Sequence, residues 1–259
     1  RSGGIKMPEA MLEVCNVKKG FGGLKAVDGV SMSLPRGGIT LLIGPNGSGK
    51  TTFVNSITGF LHPDGGHVYL EGKEITGWPM YRICKEGMVR SFQLPAPFGG
   101  LSILGNLLAA CECGPGESLL WSPFKDMWRT KERENVREAF AVARAMELTS
   151  YWDAPMAETS TGHIKLTEIG RALLAGAKLV ILDEPICGVD PVMADEVFSF
   201  LVRLRDEQDL TFLVIEHRLD IALKYADYVY VMNQGTLIAQ GSVDEVLNNR
   251  QVKEVYLGS

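Results

Sequence analysis

A glycine-rich stretch in the first fifth of the chain has residue types suited to binding a polyphosphate. It matches the pattern G-x-x-x-x-G-K-[ST] and lies between an apolar run, Ile39 to Ile43, and a predicted helix, Lys50 to Thr58. The candidate phosphate ligands are Gly44, Asn46, Gly47, Ser48, Gly49, Lys50, Thr51 and Thr52. This stretch, residues 44–52, is called the glycine-rich loop below.

The chemistry of the loop follows from these residue types. Glycine permits backbone conformations in which successive N–H groups point into one concavity, and a helix start adds about half a positive charge there. Lys50 supplies a full charge for the outer phosphates, and the hydroxyl of Thr51 is placed to hold Mg²⁺. The alternative is an ordinary turn before a helix, but Lys50 and Thr51 are both in register. The loop therefore predicts a site for a nucleoside triphosphate with magnesium.

Two later apolar runs also end in polar residues. Leu179 to Leu182 is followed by Asp183 and Glu184, and a run ending at Ile215 is followed by Glu216 and His217. In open α/β sheets, ligands bind at the carboxyl ends of the strands. We expect Asp183 to hold Mg²⁺ and Glu184 to act as the general base for an attacking water. A lone histidine is usually structural, but its place at a strand end favours a functional role for His217.

Length, net charge and cysteine content limit the classes of protein to which the chain can belong. The chain has 259 residues, of which 46% are hydrophobic, so it can form one large domain or a core with a subdomain. Its net charge is −5, and without a dense Lys/Arg block a nucleic-acid partner is disfavoured. Five cysteines without C-x-x-C spacing fit a reducing cytosol better than a metal site. No apolar run approaches the roughly 18 residues of a membrane span, and we expect neither a transmembrane segment nor a signal peptide.

The remaining pattern predicts the elements around these residues. Short alternations from Leu12 to Leu34 predict antiparallel strands, and the chain turns helical from Leu101 to about Ala177. We expect a helix to begin at Ser160, an N-cap residue type, and another at Asp190-Pro191. The other predicted features are a charged helix with Val136, Ala139, Phe140, Ala143 and Met146 on its inner face, a hairpin turn at Asn233-Gln234-Gly235, and a capping box at Ser242 to Glu245.

Together these residues resemble the ATPase subunit of ABC transporters along nearly the whole chain. Leu179 to Pro185 matches the Walker B strand, Gly188 to Asp190 the D-loop and His217 the H-loop, in the order of the family. Gln93 falls at the Q-loop, and Phe21 matches the aromatic that stacks on the base. The resemblance implies an α/β fold: a P-loop NTPase (RecA-like) core with an N-terminal antiparallel β-subdomain and an inserted α-helical subdomain. The expected boundaries are 7–94 and 175–259 for the core with the β-subdomain, and 95–174 for the helical subdomain.

The resemblance also implies roles that spacing alone does not give. Gln93 would contact the nucleotide and Mg²⁺ and couple the site to a partner. Ser160, Gly162 and His163 would bind the γ-phosphate held by a second cassette. Here the sequence departs from the family signature Leu-Ser-Gly-Gly-Gln, because Thr161 replaces the first glycine and His163 the glutamine. We expect binding to survive, and we expect the branched side chain of Thr161 to slow closure or hydrolysis.

The implied function is a motor that hydrolyses ATP with Mg²⁺ at the cytoplasmic face of the cell membrane. The implied partners are a second ABC ATPase subunit, identical or not, integral membrane permease subunits and, indirectly, a solute-binding protein. Phe21 to Val27, Ile215 to Asp220 and Val255 to Gly258 look like the branched-chain amino-acid importer subunits, so the expected cargo is a branched-chain or related amino acid.

Two alternatives stay open at this point. The first is a dimerisation switch that hydrolyses little, which the altered signature suggests and Glu184 and His217 oppose. The second is a soluble ABC ATPase outside transport, although the long coiled-coil insertion or second cassette usual in that class is missing. A GTPase is disfavoured because no N-K-x-D motif follows the loop.

Overall fold

The computed structural model describes residues 10–91, 97–111 and 125–257, without the side chains of 125–128 and 257. These residues form two sheets with helices around them. Gln93 to Ala96, the first half of the Gln93 to Gly100 loop, and the aromatics Trp121 and Phe124 lie outside the described residues. Within the described part of the chain, no helix is both long and apolar enough to cross a bilayer.

The larger sheet carries the glycine-rich loop. Its order is β10-β9-β3-β8-β7-β6, parallel except for the β9–β10 hairpin. The strands are β3 (Ile39–Ile43), β6 (Met88–Arg90), β7 (Leu179–Asp183), β8 (Thr211–Ile215), β9 (Tyr228–Asn233) and β10 (Thr236–Gly241). Every residue of β3, β7 and β8 is buried, as expected for parallel strands covered on both faces. The carboxyl ends of β3, β8 and β7, which precede the glycine-rich loop, His217 and Glu184, therefore lie side by side, as the sequence predicts.

The smaller sheet is antiparallel, as predicted for the N-terminal region. Its order is β2-β1-β4-β5, with Leu12 opposite Leu34 on one side and Leu70 on the other. The strands are β1 (Ala10–Phe21), β2 (Leu24–Pro35), β4 (Gly65–Leu70) and β5 (Lys73–Glu74). One face of the larger sheet packs on this sheet and on the helix after the loop, through side chains such as Leu42, Phe53 and Leu213.

Helices lie on both sides of the larger sheet. They are α1 (Lys50–Ile57), α2 (Met80–Lys85), α3 (Ile103–Leu108), α4 (Lys125–Ala145), α5 (Thr161–Leu174), α6 (Pro191–Gln208), α7 (Leu219–Ala222), α8 (Val243–Asn248) and α9 (Arg250–Leu257). Short 3₁₀ turns cover Thr149–Tyr151 and Met156–Glu158. A second buried cluster joins β3, β7 and β8 to α3, α4, α5 and α6. The helices α1 and α2 lie on the same side of the larger sheet as the smaller sheet, and the later helices pack in this second cluster on its other face. The helices α3 to α5 lie between β6 and β7 in the chain, and the domain boundaries given above stay a prediction.

The predicted helix starts are confirmed. The side chain of Ser160 accepts the N–H of His163 at the start of α5, and Asp190 accepts from Val192 and Met193 at the start of α6. Ser242 and Glu245 form the capping box of α8. Each cap satisfies N–H groups that the helix itself leaves unpaired.

The inner face predicted for α4 is only partly right. Ala139, Ala143 and Met146 are buried, but Val136 and Phe140 are 40% and 41% exposed. The ring of Phe140 packs edge-on against Trp152, with 5.6 Å between the ring centroids. Because Trp152 is itself on the surface, this contact holds Phe140 at the rim of the core.

Candidate nucleotide-binding site

The glycine-rich loop joins β3 to α1 in a conformation that glycine alone fits at two positions. Gly44 has φ +153°, and a Cβ there would lie 2.1 Å from the carbonyl oxygen of Met232. Gly49 has φ +100°, and its Cβ would lie 2.3 Å from the carbonyl oxygen of Ala26. Both obstacles are backbone atoms that cannot move aside. The loop therefore packs closely between β2 and the end of β9. This packing holds the N–H groups of the loop in place at the start of α1.

The side chain of Lys50 folds back over the glycine-rich loop. Its Nζ donates to the carbonyl oxygens of Gly44 at 2.7 Å and Pro45 at 3.0 Å, and to Ser48 Oγ at 3.4 Å. The residue is 5% exposed, and burial lowers its pKa, while the nearby carboxylates of Glu184 and Asp183 act in the opposite direction. The ammonium group is thus held at the centre of the loop, next to the acidic end of β7.

An open cleft of about 670 Å³ brings most of the predicted residues together. Its wall contains Phe21, Asn46, Gly47, Ser48, Gly49, Lys50, Thr51, Thr52, Asp183, Glu184 and His217. Phe21 is 49% exposed at the end of β1, with the Lys19 ammonium 5.8 Å from its ring centroid. The cleft thus has an aromatic rim and an N–H-rich floor, the arrangement that a nucleotide with a planar base and charged phosphates requires.

The same cleft contains a turn that sequence reasoning did not connect to the site. Gln234 and Gly235 form the β9–β10 turn and line the cleft. The N–H of Gly235 donates to the carbonyl oxygen of Ser48 at 2.9 Å, and its own oxygen accepts the N–H of Asp28. The turn itself is visible in the sequence, but its contact with a loop almost 190 residues earlier depends on β9 pairing with β3.

Glu184 and His217 are in contact within the cleft. His217 Nε2 lies 3.2 Å from Glu184 Oε1, and the two side chains are 40% and 19% exposed. Glu184 has φ +52°, a left-handed conformation that is uncommon for a residue with a side chain, and its N–H donates to the carbonyl oxygen of Ile215 at 2.9 Å. Backbone strain of this kind persists where the surrounding structure holds it, often at functional sites. Glu184 can therefore both face a water molecule and contact the histidine.

The chemistry of the residues around Asp183 suits magnesium. Thr51 and Asp183 both line the cleft, and they offer a hydroxyl and a carboxylate oxygen. Proteins usually bind Mg²⁺ through one or two such oxygens together with substrate phosphates and water, not through a complete protein cage. The described residues contain no group of three or more His, Cys, Asp or Glu side chains able to hold a metal. Gln93, the other predicted ligand, lies outside the described residues.

Arg90 is a site residue that sequence reasoning missed. Its Nη2 donates to Asp183 Oδ2 at 2.8 Å, with side chains only 6% and 4% exposed, and its Nη1 donates to Asn55 Oδ1 on α1. The guanidinium thus ties together β6, β7 and α1 behind the cleft. In the sequence, the feature that could have indicated Arg90 is its place at the end of a short apolar strand, three residues before Gln93.

Replacing Arg90 should destabilise the fold severely. Arg90→Met leaves the carboxylate of Asp183 buried without its counter-charge, so we expect the free energy of unfolding to fall by about 3–5 kcal/mol. Urea unfolding measures this loss. The matched control is Arg36→Met, which removes a half-exposed pair with Glu71 and should cost about 0–1 kcal/mol. Equal effects of the two substitutions would contradict the importance of the buried pair.

Glu216 is the second residue that was missed. It follows β8, is 2% exposed, and accepts backbone N–H groups with both carboxylate oxygens. Oε1 accepts from Ile186 at 3.0 Å, and Oε2 from His217 at 3.1 Å and Arg218 at 3.4 Å. Burial raises the pKa of Glu216, while the three N–H groups act to lower it. No sequence motif distinguishes this glutamate from an exposed acidic residue.

The altered signature lies apart from the cleft within one chain. Ser160 and Thr161 are exposed at the start of α5, whereas Gly162 is buried and a Cβ there would lie 2.5 Å from Met193 on α6. The ring of His163 packs against Tyr151, with centroids 4.4 Å apart, and burial lowers the pKa of His163. A side chain at position 162 would require the flexible side chain of Met193 to shift. Nucleotide contacts of Ser160, Gly162 and His163 stay a prediction, as do the individual roles of the other site residues.

Comparison with known proteins identifies the family. A family model described as ABC transporter matches residues 27–187, and one described as Branched-chain amino acid ATP-binding cassette transporter matches residues 236–259. The chain is 45% identical over 249 residues to the probable branched-chain amino acid transport ATP-binding protein LivG of Archaeoglobus fulgidus, covering 96% of each chain. It is 34% identical over 253 residues to the high-affinity branched-chain amino acid transport ATP-binding protein BraF of Pseudomonas aeruginosa, covering 97% of this chain and 99% of BraF.

Solved structures agree with these relatives. A nucleotide-free ATP-binding cassette from an ABC transporter superposes with a TM-score of 0.83 at 44% identity, over 96% of this chain and 100% of the other. A cassette of an ABC transporter in its ADP conformation gives the same TM-score at 43% identity, over 96% and 99%. These likenesses confirm the predicted fold class, a P-loop α/β core with an antiparallel β-sheet and inserted helices. The chain belongs to the ABC transporter family, as an ATP-binding subunit with ATPase activity.

Proposed function

We propose that this ATPase powers an importer of branched-chain or related amino acids, working at the cytoplasmic face of the membrane. The cargo is inferred from the names of the relatives and from the family match at residues 236–259. The observation that carries the catalytic part is the 3.2 Å contact between Glu184 and His217 in the cleft that contains Lys50 and Asp183. A carboxylate oriented by a second group supports a role as the base in hydrolysis.

Each group in the cleft has a proposed task. Phe21 stacks on the adenine, and the N–H groups of residues 44–52 with Lys50 bind the phosphates. Thr51, Asp183 and Gln93 would hold Mg²⁺, and the metal would neutralise charge on the phosphate oxygens. Glu184 takes the proton of the attacking water. His217 orients Glu184 and contacts the γ-phosphate.

We propose that the working unit has two cassettes. The start of α5 presents Ser160 and Thr161 to solvent, outside the cleft of its own chain, so a second ABC ATPase subunit can receive them. Ser160, Gly162 and His163 would then complete the γ-phosphate site of the partner. Closure around two MgATP and reopening after hydrolysis drive the permease subunits, which receive the amino acid from a solute-binding protein.

Purification of the whole complex tests the proposed cargo and partners. The chain is expressed with its genomic neighbours, and the membrane complex is reconstituted with candidate solute-binding proteins. We expect ATP-dependent uptake of leucine, isoleucine or valine. Uptake of an unrelated solute, with none of these three transported, would refute the assignment of cargo while leaving the ATPase assignment intact.

Thr161 gives a separate kinetic prediction. Its branched side chain stands where a partner's phosphate must come close, so Thr161→Gly should raise steady-state ATP turnover, by roughly two- to tenfold, or up to about 1.4 kcal/mol of barrier. The control is Thr130→Gly, at an exposed position of α4, which carries the same cost in helix propensity of about 1 kcal/mol or less. Equal turnover in Thr161→Gly and the native chain would remove the kinetic effect.

The second candidate function is a dimerisation switch with little hydrolysis, and the changes at Thr161 and His163 favour it. An ATPase assay at high protein concentration, where the dimer forms, distinguishes the two. Sustained turnover supports the motor. Nucleotide-dependent dimerisation without turnover supports the switch.

A further inference from the structure

Three successive residues in the turn after β8 each contact the turn after β7. Glu216 accepts the N–H of Ile186, His217 contacts Glu184, and Arg218 Nη1 donates to the carbonyl oxygen of Val189 at 2.8 Å. The two strands are parallel neighbours, with Asp183 opposite Ile215. Residues 216–218 thus contact residues 184–189 along most of their length.

Glu184 is held by hydrogen bonds at two nearby backbone N–H groups. Its own N–H is bound to the carbonyl oxygen of Ile215, and two residues later the N–H of Ile186 is bound to the carboxylate of Glu216. A residue held at φ +52° needs such support, because a relaxed turn would return to a more favourable conformation. Glu216 also accepts the N–H of His217, so the same carboxylate holds the backbone on both sides of the Glu184–His217 contact.

We propose that Glu216 is a positioning residue for ATP hydrolysis, whose buried carboxylate sets the distance and orientation between Glu184 and His217. The inference rests on the proposed roles of those two residues. Glu216 itself is not part of the wall of the nucleotide cleft and acts only through its neighbours.

An ionised carboxylate at Glu216 matches the N–H donors that surround it. All the groups around it that form hydrogen bonds are N–H donors, and an ionised carboxylate is an acceptor at both oxygens. In Glu216→Gln the shape is kept, but an amide NH₂ group must face either Ile186 or the His217 and Arg218 amides. Two donors then point at each other, and one of the two turns must move away.

The test is a comparison of kcat and ATP affinity in the full chain. For Glu216→Gln we expect kcat to fall by about 10- to 100-fold, because a misplacement of about 1 Å at a reacting group can cost 10²-fold. The affinity for MgATP, measured with a fluorescent nucleotide, should stay within about threefold, because Glu216 does not line the cleft. An unchanged kcat, or a loss carried by affinity alone, would overturn the proposal.

A matched control separates positioning from general loss of stability. Thr211 lies at the other end of β8, is fully buried, and its Oγ1 accepts the N–H of Gly37 at 3.0 Å. Like Glu216→Gln, Thr211→Val therefore removes a buried acceptor of a backbone N–H, but at the end of β8 that is far from the cleft. We expect a similar thermal destabilisation with native kcat per folded molecule. If Thr211→Val lowers kcat as much as Glu216→Gln, the role of Glu216 is merely structural.

A double-mutant cycle with His217→Ala tests whether Glu216 acts through the pair. If it does, the effect of Glu216→Gln should shrink to less than about threefold once His217 is removed, because residues in one network are not additive. Fully additive effects would contradict the mechanism. Should Glu216→Gln fail to fold, Glu216→Asp keeps the charge but not the reach, and a native kcat in that variant would also refute the proposal.

The outcome also distinguishes this inference from the roles on which it rests. Glu184→Gln tests the base directly. If Glu184→Gln abolishes turnover and Glu216→Gln does not change it, only the positioning role fails. If Glu184→Gln turns over normally, the assignment of the base fails first.

Discussion

Glu184→Gln should bind ATP and fail to hydrolyse it. The amide keeps the size and hydrogen-bonding reach of the side chain, so its contact with His217 can remain, but it cannot accept the proton of the attacking water. We expect kcat to fall by about 10²- to 10⁴-fold, the usual contribution of a general base. Nucleotide affinity should be retained, because Lys50 and the N–H groups of the loop are unchanged.

The measurements are steady-state phosphate release and the size of the protein in MgATP. Since the closed dimer would reopen only after hydrolysis, Glu184→Gln should accumulate as a dimer with ATP, visible by size-exclusion chromatography with light scattering. Glu254→Gln is a suitable control, because Glu254 is an exposed carboxylate on α9 paired with Arg250. Near-native turnover in Glu184→Gln would end the assignment of this residue as the base.

Lys50→Met should remove productive nucleotide binding. Methionine fills the same space with a flexible chain but supplies no charge for the phosphates and no donor. We expect turnover to fall at least about 10²-fold, comparable to the loss of one donor that stabilises developing charge. In the native chain, MgATP at 100 times its dissociation constant should stabilise the fold by about 2.7 kcal/mol, and this gain should largely disappear in the variant.

Thermal unfolding with and without MgATP measures that gain. The free variant also shows how far the loop depends on Lys50, whose Nζ binds the carbonyl oxygens of Gly44 and Pro45. Lys178→Met is the matched control, because Lys178 pairs with Glu71 on the surface and does not line the cleft. Full stabilisation by MgATP in Lys50→Met would show that the loop binds phosphate through its N–H groups alone.

Local sequence was sufficient for much of the fold. The helix starts at Ser160, Asp190 and Ser242 were correct because a cap depends on residues within one turn of each other. The buried strands were recognisable because parallel strands covered on both faces need continuous apolar runs. The inner face of α4 was partly wrong at Val136 and Phe140, since periodicity shows which residues share a face but not where the neighbouring element ends.

The candidate site divides in the same way. Lys50, Asp183, Glu184 and His217 were found because each lies in a short motif or directly after a recognisable strand, and the cleft contains all of them. Arg90 and Glu216 were missed because their partners lie 93 and 30 residues away, Asp183 for Arg90 and Ile186 for Glu216. Their importance comes from burial, which a single sequence does not reveal for a charged side chain.

By itself, the sequence determined the chemistry of this protein. The glycine-rich loop, the acidic residues after β7 and the histidine after β8 are local patterns, and the triphosphate chemistry of such a loop depends only on residue types at fixed spacing. The tertiary structure decided how these groups are held. The strand order places β3 beside β9, so that the Gly235 turn supports the loop, and β7 beside β8, so that Glu216 joins the turns that carry Glu184 and His217. Such contacts depend on strand order and burial, which the sequence specifies only through the folded chain as a whole.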